Sequence, residues 1–372
     1  MMEPKNATSL CLKLLILAAI LISLPLMGVW SAGEQALGVY FHFPPEPGRI
    51  AHAPFSWPVF AALAAFILAF LAPFVLRGLK FSQYRDQSEA AAEGRPLPIW
   101  GWAGILICLA AWILAWTRLD WFRQWQPYTF PFLWIGYILV ANAISCKRRG
   151  RCLLLQKPFF LFALFPASAL FWWFFEYLNR FVLNWYYVQV DMFTPNEYIS
   201  YASVCFATVL PAVWSTADLL ESFPFFQRTY KNFIAIRPNR PKAAAGGVVL
   251  LAALGLFALG LFPNFLFPLL WISPLLIVIC LQVLAGEQQV FSPLREGDWS
   301  RIVTFAAAAL VCGFFWEMWN FYSLAKWEYS IPFVHRFQIF EMPLPGYAGY
   351  LPFGLECAAV GDMIQQAIPS RN

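Results

Sequence analysis

Charged side chains are scarce in this sequence. Only 12% of its 372 residues are Asp, Glu, Lys or Arg, whereas a soluble domain carries about 25%. The deficit excludes an ordinary soluble globular protein. Hydrophobic residues make up 60% of the chain. They are grouped in runs of roughly 20 residues, the length that crosses a bilayer as a helix.

Metal-binding and common catalytic motifs are also missing. None of the eight cysteines forms a C-x-x-C pair, and there is no glycine-rich nucleotide loop, G-x-S-x-G, H-E-x-x-H, haem or iron–sulfur pattern. His42 and His52 share a proline-rich loop with Glu46, and we interpret them as loop residues rather than metal ligands. The sequence predicts no metal and no cofactor. It argues against ATP-driven transport, serine hydrolysis, zinc proteolysis and electron transfer.

The hydrophobic runs predict an all-α, polytopic transmembrane bundle of about ten spans. A β-barrel would show alternating apolar and polar residues, and no run does. The first run also has features of a signal peptide, but Trp30 stands where cleavage requires a small residue, which favours an uncleaved span. The predicted spans are 11–31, 57–76, 99–117, 129–146, 159–178, 199–220, 246–263, 266–284, 302–322 and 346–366.

The basic residues predict the orientation of these spans. With alternating sides and a cytoplasmic N-terminus, nineteen of the 25 Lys and Arg residues fall inside and six outside. This bias indicates a bacterial plasma (inner) membrane protein with both termini cytoplasmic. The net charge of +5 therefore requires no nucleic-acid partner. The basic inner loops set the topology and contact anionic lipid, and a specific lipid or partner site there is the alternative.

A weak internal repeat divides the chain. FPFLWIG at 130–136 recurs as FPLLWIS at 267–273, and FFEYLNRFVLNWYY at 174–187 recurs as FWEMWNFYSLAKWEY at 315–329. The two matches come in the same order at nearly the same offset. The sequence therefore predicts a tandem parallel repeat of four spans, 99–220 and 246–366, preceded by two spans and a linker at 1–98.

Buried acids are the candidate functional residues. Each repeat carries E-x-x-N, which puts both side chains on one helix face, followed by W-x-Y. A Glu in a membrane span normally faces the bundle interior and often marks function. We predict that Glu176 and Glu317 face one interior cavity near the outer leaflet. The catalytic candidates are Glu176, Glu317 and Glu356, and the substrate-binding candidates are Asn179, Asn320, Trp185, Trp327, Tyr187 and Tyr329.

Structural roles are the alternative for the same residues. The Glu pair can fix helix packing by hydrogen bonds, and the Trp and Tyr residues can form an interfacial belt. In the chemical interpretation, a carboxylic acid kept neutral by an apolar environment donates a proton. The chain has 38 Phe, 18 Trp and 14 Tyr, and aromatic faces stabilise cations. This combination suits an isoprenoid or polyene handled through a carbocation.

Two stretches resemble membrane carotenoid cyclases of the lycopene cyclase type. They are WEYSIP at 327–332 with FEMPLPGYAGYLPF at 340–353, and WYY at 185–187 with PNEY at 195–198. In that family a W-x-Y-like helix end leads into Pro-x-Glu-Glu and a Phe-rich span, in tandem. Here Tyr198 replaces the second acid, and Glu341 precedes Pro343 rather than following it. The resemblance implies that Glu197 is a catalytic acid.

Three functions remain open from the sequence. The first is an enzyme that acts on a lipid or isoprenoid by carboxylate acid–base chemistry. The second is a transporter or flippase, which predicts a broken helix at mid-membrane, with Pro211 among the candidates. The third is a non-catalytic subunit or scaffold. The expected partners are membrane lipids and a hydrophobic small molecule, and the sequence leaves the oligomeric state undetermined.

Overall fold

Most of the described chain is helical. The structure, a computed structural model, describes residues 4–33, 37–42, 52–82 and 95–368. The linker at 83–94 and the loop that contains Glu46 lie outside the described residues. The helices are α1 (Pro4–Ser31), α2 (Trp57–Ser82), α3 (Ile99–Trp116), α4 (Phe130–Arg149), α5 (Leu153–Gln156), α6 (Pro158–Val182), α7 (Pro195–Phe206), α8 (Val209–Leu220), α9 (Pro224–Tyr230), α10 (Pro241–Phe257), α11 (Pro263–Leu266), α12 (Leu269–Ala285), α13 (Ser300–Phe321) and α14 (Tyr350–Ala367).

The apolar helices indicate a multi-pass protein embedded in a membrane. Within the described ranges, six helical segments are long and apolar enough to cross a bilayer: Trp57–Phe81, Ile99–Trp116, Gln126–Arg149, Pro158–Val182, Pro195–Leu220 and Ser300–Phe321. Three shorter apolar helices cover Leu15–Ser31, Pro241–Phe257 and Leu269–Ala285. Helix α14, which carries Glu356 and Asp362, belongs to neither group. The number of ten spans stays a prediction.

Proline and glycine define many helix ends. Prolines 158, 195, 224, 241 and 263 each begin a helix, where the fixed φ suits the first turn and the missing N–H costs nothing. Gly150 and Gly286 end α4 and α12 with φ of 72° and 76°. Glycine adopts this left-handed conformation without strain, so it terminates a helix efficiently.

The core lies between α4, α6, α8, α13 and α14. Helices α4, α6, α13 and α14 all pack on α8, and α13 packs on α14. Large aromatic side chains fill the space between them, including Trp134, Trp319, Phe175, Phe305 and Phe353, which are fully buried. Helix α3 packs on the outside of α4, where Gly104 and Gly136 allow close approach of the two backbones. The small residues at this crossing match the packing mode of membrane helices.

The predicted span 199–220 is interrupted. Helix α7 ends at Phe206 and α8 begins at Val209. The hydroxyl of Ser168 in α6 inserts at the break: it donates to the carbonyl of Phe206 at 2.5 Å and accepts from the amide of Leu210 at 3.0 Å. A continuous helix would join those two backbone groups directly. Insertion of a side chain into the hydrogen-bond ladder is a known cause of helix kinks.

Two short antiparallel strand pairs add to the predicted all-α bundle. Strand β1 (Trp185–Val188) pairs with β2 (Lys326–Tyr329), and β3 (Gln338–Ile339) pairs with β4 (Met342–Pro343). The first pair consists of the two W-x-Y segments. Its register joins Trp185 to Tyr329 and Tyr187 to Trp327, with Tyr186 opposite Glu328 between them. The strands therefore connect the ends of α6 and α13.

We expect Gly136→Val to destabilise the protein by about 1–3 kcal/mol, the usual cost of overpacking. A Cβ at Gly136 would lie 2.8 Å from the backbone nitrogen of Cys108, which cannot move without displacing α3. Thermal unfolding in mild detergent measures the loss. Gly246→Val is the matched control, because nothing lies within 4 Å of the corresponding Cβ in α10. Equal unfolding temperatures for the two variants would contradict the close α3–α4 approach.

Candidate functional site

Glu176 is buried in α6 and has three hydrogen-bond donors on one oxygen. Its side chain is 3% exposed. Oε1 accepts from Trp172 Nε1 at 3.0 Å, Trp185 Nε1 at 3.0 Å and the Tyr187 hydroxyl at 2.6 Å. Trp172 stands one turn before Glu176 on the same helix, and the other two donors come from β1. A buried carboxyl requires such donors, because burial removes its water.

Glu317 is fully buried in α13 and has a similar environment. Its Oε1 accepts from the hydroxyls of Tyr329 and Tyr350, each at 2.7 Å. Trp327 Nε1 donates to the Tyr329 hydroxyl at 3.0 Å. The second oxygen, Oε2, is buried and has no hydrogen-bond partner among the described residues. In both clusters the tyrosine of W-x-Y binds the glutamate of E-x-x-N.

The two asparagines hold the strand backbone. Asn179 Nδ2 donates to the Trp185 carbonyl at 2.8 Å, and its Oδ1 accepts from the Asn184 amide at 2.9 Å. Asn320 Nδ2 donates to the Trp327 carbonyl at 2.7 Å, and its Oδ1 accepts from the Trp327 amide at 2.9 Å. Each asparagine thus stabilises the turn from helix to strand. The turn places W-x-Y against the glutamate, which precedes the asparagine by one helical turn.

A large apolar cavity lies against both clusters. Its volume is about 620 Å³. Donors to both glutamates line it: Trp172, Trp185, Tyr187, Tyr329 and Tyr350. The two carboxyl groups lie behind these aromatic side chains rather than in the wall itself. Of the predicted substrate-binding residues, Trp185, Trp327, Tyr187 and Tyr329 line this cavity, whereas Asn179 and Asn320 do not belong to its wall.

Helix α2 forms one side of this cavity. Its side chains Leu63, Phe66, Ile67, Phe70 and Leu71 line the space. Phe66 is 68% exposed and Phe70 is 57% exposed. These side chains therefore face both the cavity and the surroundings of the bundle.

The ends of α2 contact the rest of the bundle. Near its beginning, Phe60 packs on Phe337, and the amide of Ser56 donates to the carbonyl of Phe333. Near its end, Phe74 packs on Tyr230 and Trp299. The middle of α2 thus crosses the cavity between two contact regions.

Glu356 is buried in α14, apart from both clusters. It is 4% exposed, and neither carboxyl oxygen has a hydrogen-bond partner among the described residues. The preceding residue, Leu355, lines the cavity, as does Leu275 of α12. Glu356 itself does not belong to the cavity wall.

Glu197 lies at the N-terminus of α7 and is exposed. Its Oε2 accepts from the Thr194 amide at 2.8 Å and the Thr194 hydroxyl at 2.7 Å. The Glu197 amide in turn donates to the Thr194 hydroxyl. This is a capping box, which satisfies free amides at a helix start. The contacts of Glu197 are accounted for by this cap.

Several residues of the site were not predicted from the sequence. Trp172 had a usable signal, since it precedes Glu176 by four positions. Tyr350 follows Glu317 by 33 positions, and only folding brings its hydroxyl to the carboxyl. Trp271 lines the cavity and stacks on Phe175 and Trp185 with ring centroids 4.9 and 5.7 Å apart. Trp271 belongs to the repeated FPLLWIS segment, and that repetition could have marked it as a candidate. The sequence did not show that its side chain would line a cavity.

Comparison with family models, curated proteins and solved structures found no match. Among the described residues, no group of three or more His, Cys, Asp or Glu side chains is placed to hold a metal ion. The geometry of the site itself therefore carries the functional argument.

We expect Asn179→Ala and Asn320→Ala each to destabilise the protein by about 2–4 kcal/mol. Each change removes hydrogen bonds and leaves buried backbone groups of the strand unpaired. Chemical or thermal unfolding in detergent measures the loss. Asn232→Ala serves as the control, because Asn232 is exposed. If either buried substitution behaves like Asn232→Ala, the proposed turn-fixing role of that asparagine is wrong.

Proposed function

We propose that this protein is an enzyme that binds an apolar, membrane-dissolved molecule of the isoprenoid or lipid class and transforms it by carboxylate acid–base chemistry. One observation carries the proposal: hydrogen-bond donors to two buried glutamates line a single aromatic cavity. A scaffold has no need to arrange two carboxyl clusters around one such space.

The walls of the cavity favour an extended apolar substrate. Its volume of about 620 Å³ falls within the range of small-molecule sites, roughly 300–1,000 Å³. Trp172, Trp185, Trp271, Trp316 and Trp327 present aromatic rings to it. Such rings bind apolar chains and stabilise positive charge that develops on them. The exposed face of α2 supports entry of the substrate from the bilayer.

The hydrogen bonds around Glu317 suggest how a proton reaches the cavity. The Tyr329 and Tyr350 hydroxyls lie between the carboxyl and the cavity, and both donate to Oε1. A proton on Oε2 would leave those two bonds intact. In this step a tyrosine hydroxyl turns from Oε1 to a substrate double bond and gives up its proton, which makes the substrate a carbocation. The neutral Glu317 carboxyl reprotonates the tyrosine, and the resulting carboxylate balances the positive charge on the substrate. Glu176 and Tyr187 form the equivalent pair.

We further propose that the chain is a ten-span protein with a tandem parallel repeat. The β1–β2 register supports this, since Trp185 faces Tyr329 and Tyr187 faces Trp327. The Trp of each half lies opposite the Tyr of the other half, which is the pairing that a two-fold axis between equivalent segments produces. The matching Glu–Tyr and Asn–Trp contacts add to it. The charge bias supports an inner-membrane location with both termini cytoplasmic, and with the β1–β2 pair on the outer side.

The resemblance to lycopene-type carotenoid cyclases supports a polyene or isoprenoid as the substrate class. Its second-half segment includes Trp327, Tyr329 and Tyr350, which line the cavity. Glu197, the residue carried over as a catalytic acid, is engaged in the cap of α7. We therefore assign the acid–base role to Glu317 and Glu176 in this proposal, with Glu356 as a third buried carboxyl nearby.

A transporter of the same hydrophobic molecule is the second candidate. The break between α7 and α8 at Ala207 and Thr208, beside the cavity residues Phe206 and Val209, favours it. Transporters commonly build their sites at interrupted helices. The two functions differ in whether the bound molecule changes chemically.

Gly349→Phe should abolish co-purification of the ligand. A Cβ at Gly349 has its nearest neighbour in Trp271, at 3.8 Å, so the new ring fills the cavity without a backbone clash. The assay is mass spectrometry and an absorption spectrum of the organic extract of the purified protein. Gly246→Phe, which faces open space, should retain the ligand at wild-type stoichiometry. Bulk phospholipid alone in the wild-type extract would overturn the proposal.

Glu317→Gln should bind the same ligand but lower its conversion by about 10²–10⁴-fold, the usual contribution of a general acid. The amide oxygen can still accept from both tyrosines, so folding is retained. Single-turnover conversion in lipid nanodiscs, followed by chromatography and mass spectrometry, measures the effect. Unchanged conversion in this variant would rule out Glu317 as the acid. A ligand that is never converted but exchanges between vesicles would favour the transporter.

A further inference from the structure

A second cavity lies at the other end of the bundle from the β1–β2 pair. It has a volume of about 400 Å³. Its walls come from the end of α4, the residues just before α6, the ends of α8 and α14 and the beginning of α13. Strands β1 and β2 follow the opposite ends of α6 and α13. With helices of 25 and 22 residues, the two ends of the bundle are roughly 35 Å apart at 1.5 Å per residue.

This second cavity is lined mainly by charged and polar side chains. Its basic residues are Arg149, Arg151, Lys157 and Arg301, and its acidic residues are Asp218, Glu221 and Asp362. Two ion pairs use part of this charge: Arg149 with Asp218 at 2.7 Å and Arg301 with Asp362 at 2.6 Å. Arg151 and Lys157, within the described part of the chain, have no ion-pair partner. Outside the two ion pairs, the cavity wall therefore carries two basic side chains, Arg151 and Lys157, and one acidic side chain, Glu221.

The two paired arginines are held in fixed positions. Arg149 donates from one nitrogen to both the carbonyl and the carboxylate of Asp218, and its Nε is buried without a hydrogen-bond partner among the described residues. The Arg301 guanidinium lies over the rings of Trp214 and Phe305, at 5.6 and 5.0 Å from their centroids. These contacts orient two guanidinium groups at the wall before any ligand arrives, which lowers the entropic cost of binding.

Glu221 is the one acid in this cavity without an ion-pair partner in the described chain. Burial raises its pKa, while the nearby Arg301 acts in the opposite direction. The negative charge of ionised Glu221 opposes the binding of an anion. Removal of that charge therefore tests whether the ligand of the cavity is negatively charged.

We propose that this second cavity binds a phosphate group. Guanidinium and ammonium groups are the side chains that bind phosphate oxygens in proteins. Two oriented arginines and two cations without ion-pair partners, all within the described residues, provide several donors for one compact anion. The phosphate is either the headgroup of an anionic lipid of the adjacent leaflet or part of a soluble phosphate compound.

The soluble arm of the test uses inorganic pyrophosphate with the full-length protein in neutral detergent. Pyrophosphate should raise the unfolding temperature in a saturable manner, because a ligand that binds only the folded state stabilises it. Arg151→Gln and Lys157→Gln should each weaken binding about ten-fold, the equivalent of one charged hydrogen bond. Glu221→Gln should strengthen it. Lys147→Gln, an equal charge change at an exposed residue outside the cavity, should leave it unchanged.

The lipid arm uses nanodiscs of phosphatidylcholine with and without phosphatidylglycerol, analysed by native mass spectrometry. Retention of phosphatidylglycerol that is lost in Lys157→Gln identifies a lipid headgroup, whereas pyrophosphate binding alone identifies a soluble phosphate. If Lys147→Gln weakens binding as much as Lys157→Gln, the effect is general electrostatic attraction and the proposal is wrong. No binding in either arm also overturns it. Neither result depends on the ligand of the aromatic cavity.

Discussion

Two carboxyl groups buried in a helical bundle impose the main constraint on this structure. A carboxyl that loses its water must receive hydrogen bonds from the protein, or its burial is strongly unfavourable. Here the donors come largely from the segment that follows each helix. The chain must therefore leave the helix and return within a few residues. The left-handed backbone conformation of Leu183 (φ 52°) allows the return after α6. Hydrogen bonds from the side-chain amides of Asn179 and Asn320 to the strand backbone stabilise it in both halves.

The returning segments also connect the two halves of the chain. Each W-x-Y segment is too short to be stable alone, and the two complete one another as an antiparallel pair. This pairing places the tyrosines of both halves at one cavity. The same few hydrogen bonds thus have three effects. They provide donors to the buried glutamates, hold the two halves together at this end of the bundle and form part of the cavity wall. Loss of the side-chain hydrogen bonds of Asn179 or Asn320 is therefore expected to affect folding and ligand binding together.

The sequence predicted the membrane helices and singled out Glu176, Glu317 and the tyrosines that bind them in W-x-Y, but it did not predict the other donors or the geometry of the clusters. Apolar runs identify helices because lipid leaves the backbone no other partner. The repeated E-x-x-N and W-x-Y patterns identified residues that meet. Contacts between distant segments had no such signal: Tyr350 reaches Glu317, and Ser168 enters the break between α7 and α8. The strands were also missed, since a strand of four residues is too short to show periodicity.

The contact between Tyr186 and Glu328 in the β1–β2 register makes the two strands selective for one another. The Tyr186 hydroxyl donates to Glu328 Oε2 at 2.9 Å. In the same register, β2 from two separate molecules would place Glu328 against Glu328, and like charges directly opposite are unfavourable. A pair of two β1 strands would place Tyr186 against Tyr186, and neither hydroxyl would have the Glu328 carboxylate as its acceptor. Each strand therefore pairs better with the other strand than with a second copy of itself, which disfavours association of neighbouring molecules through two copies of the same strand.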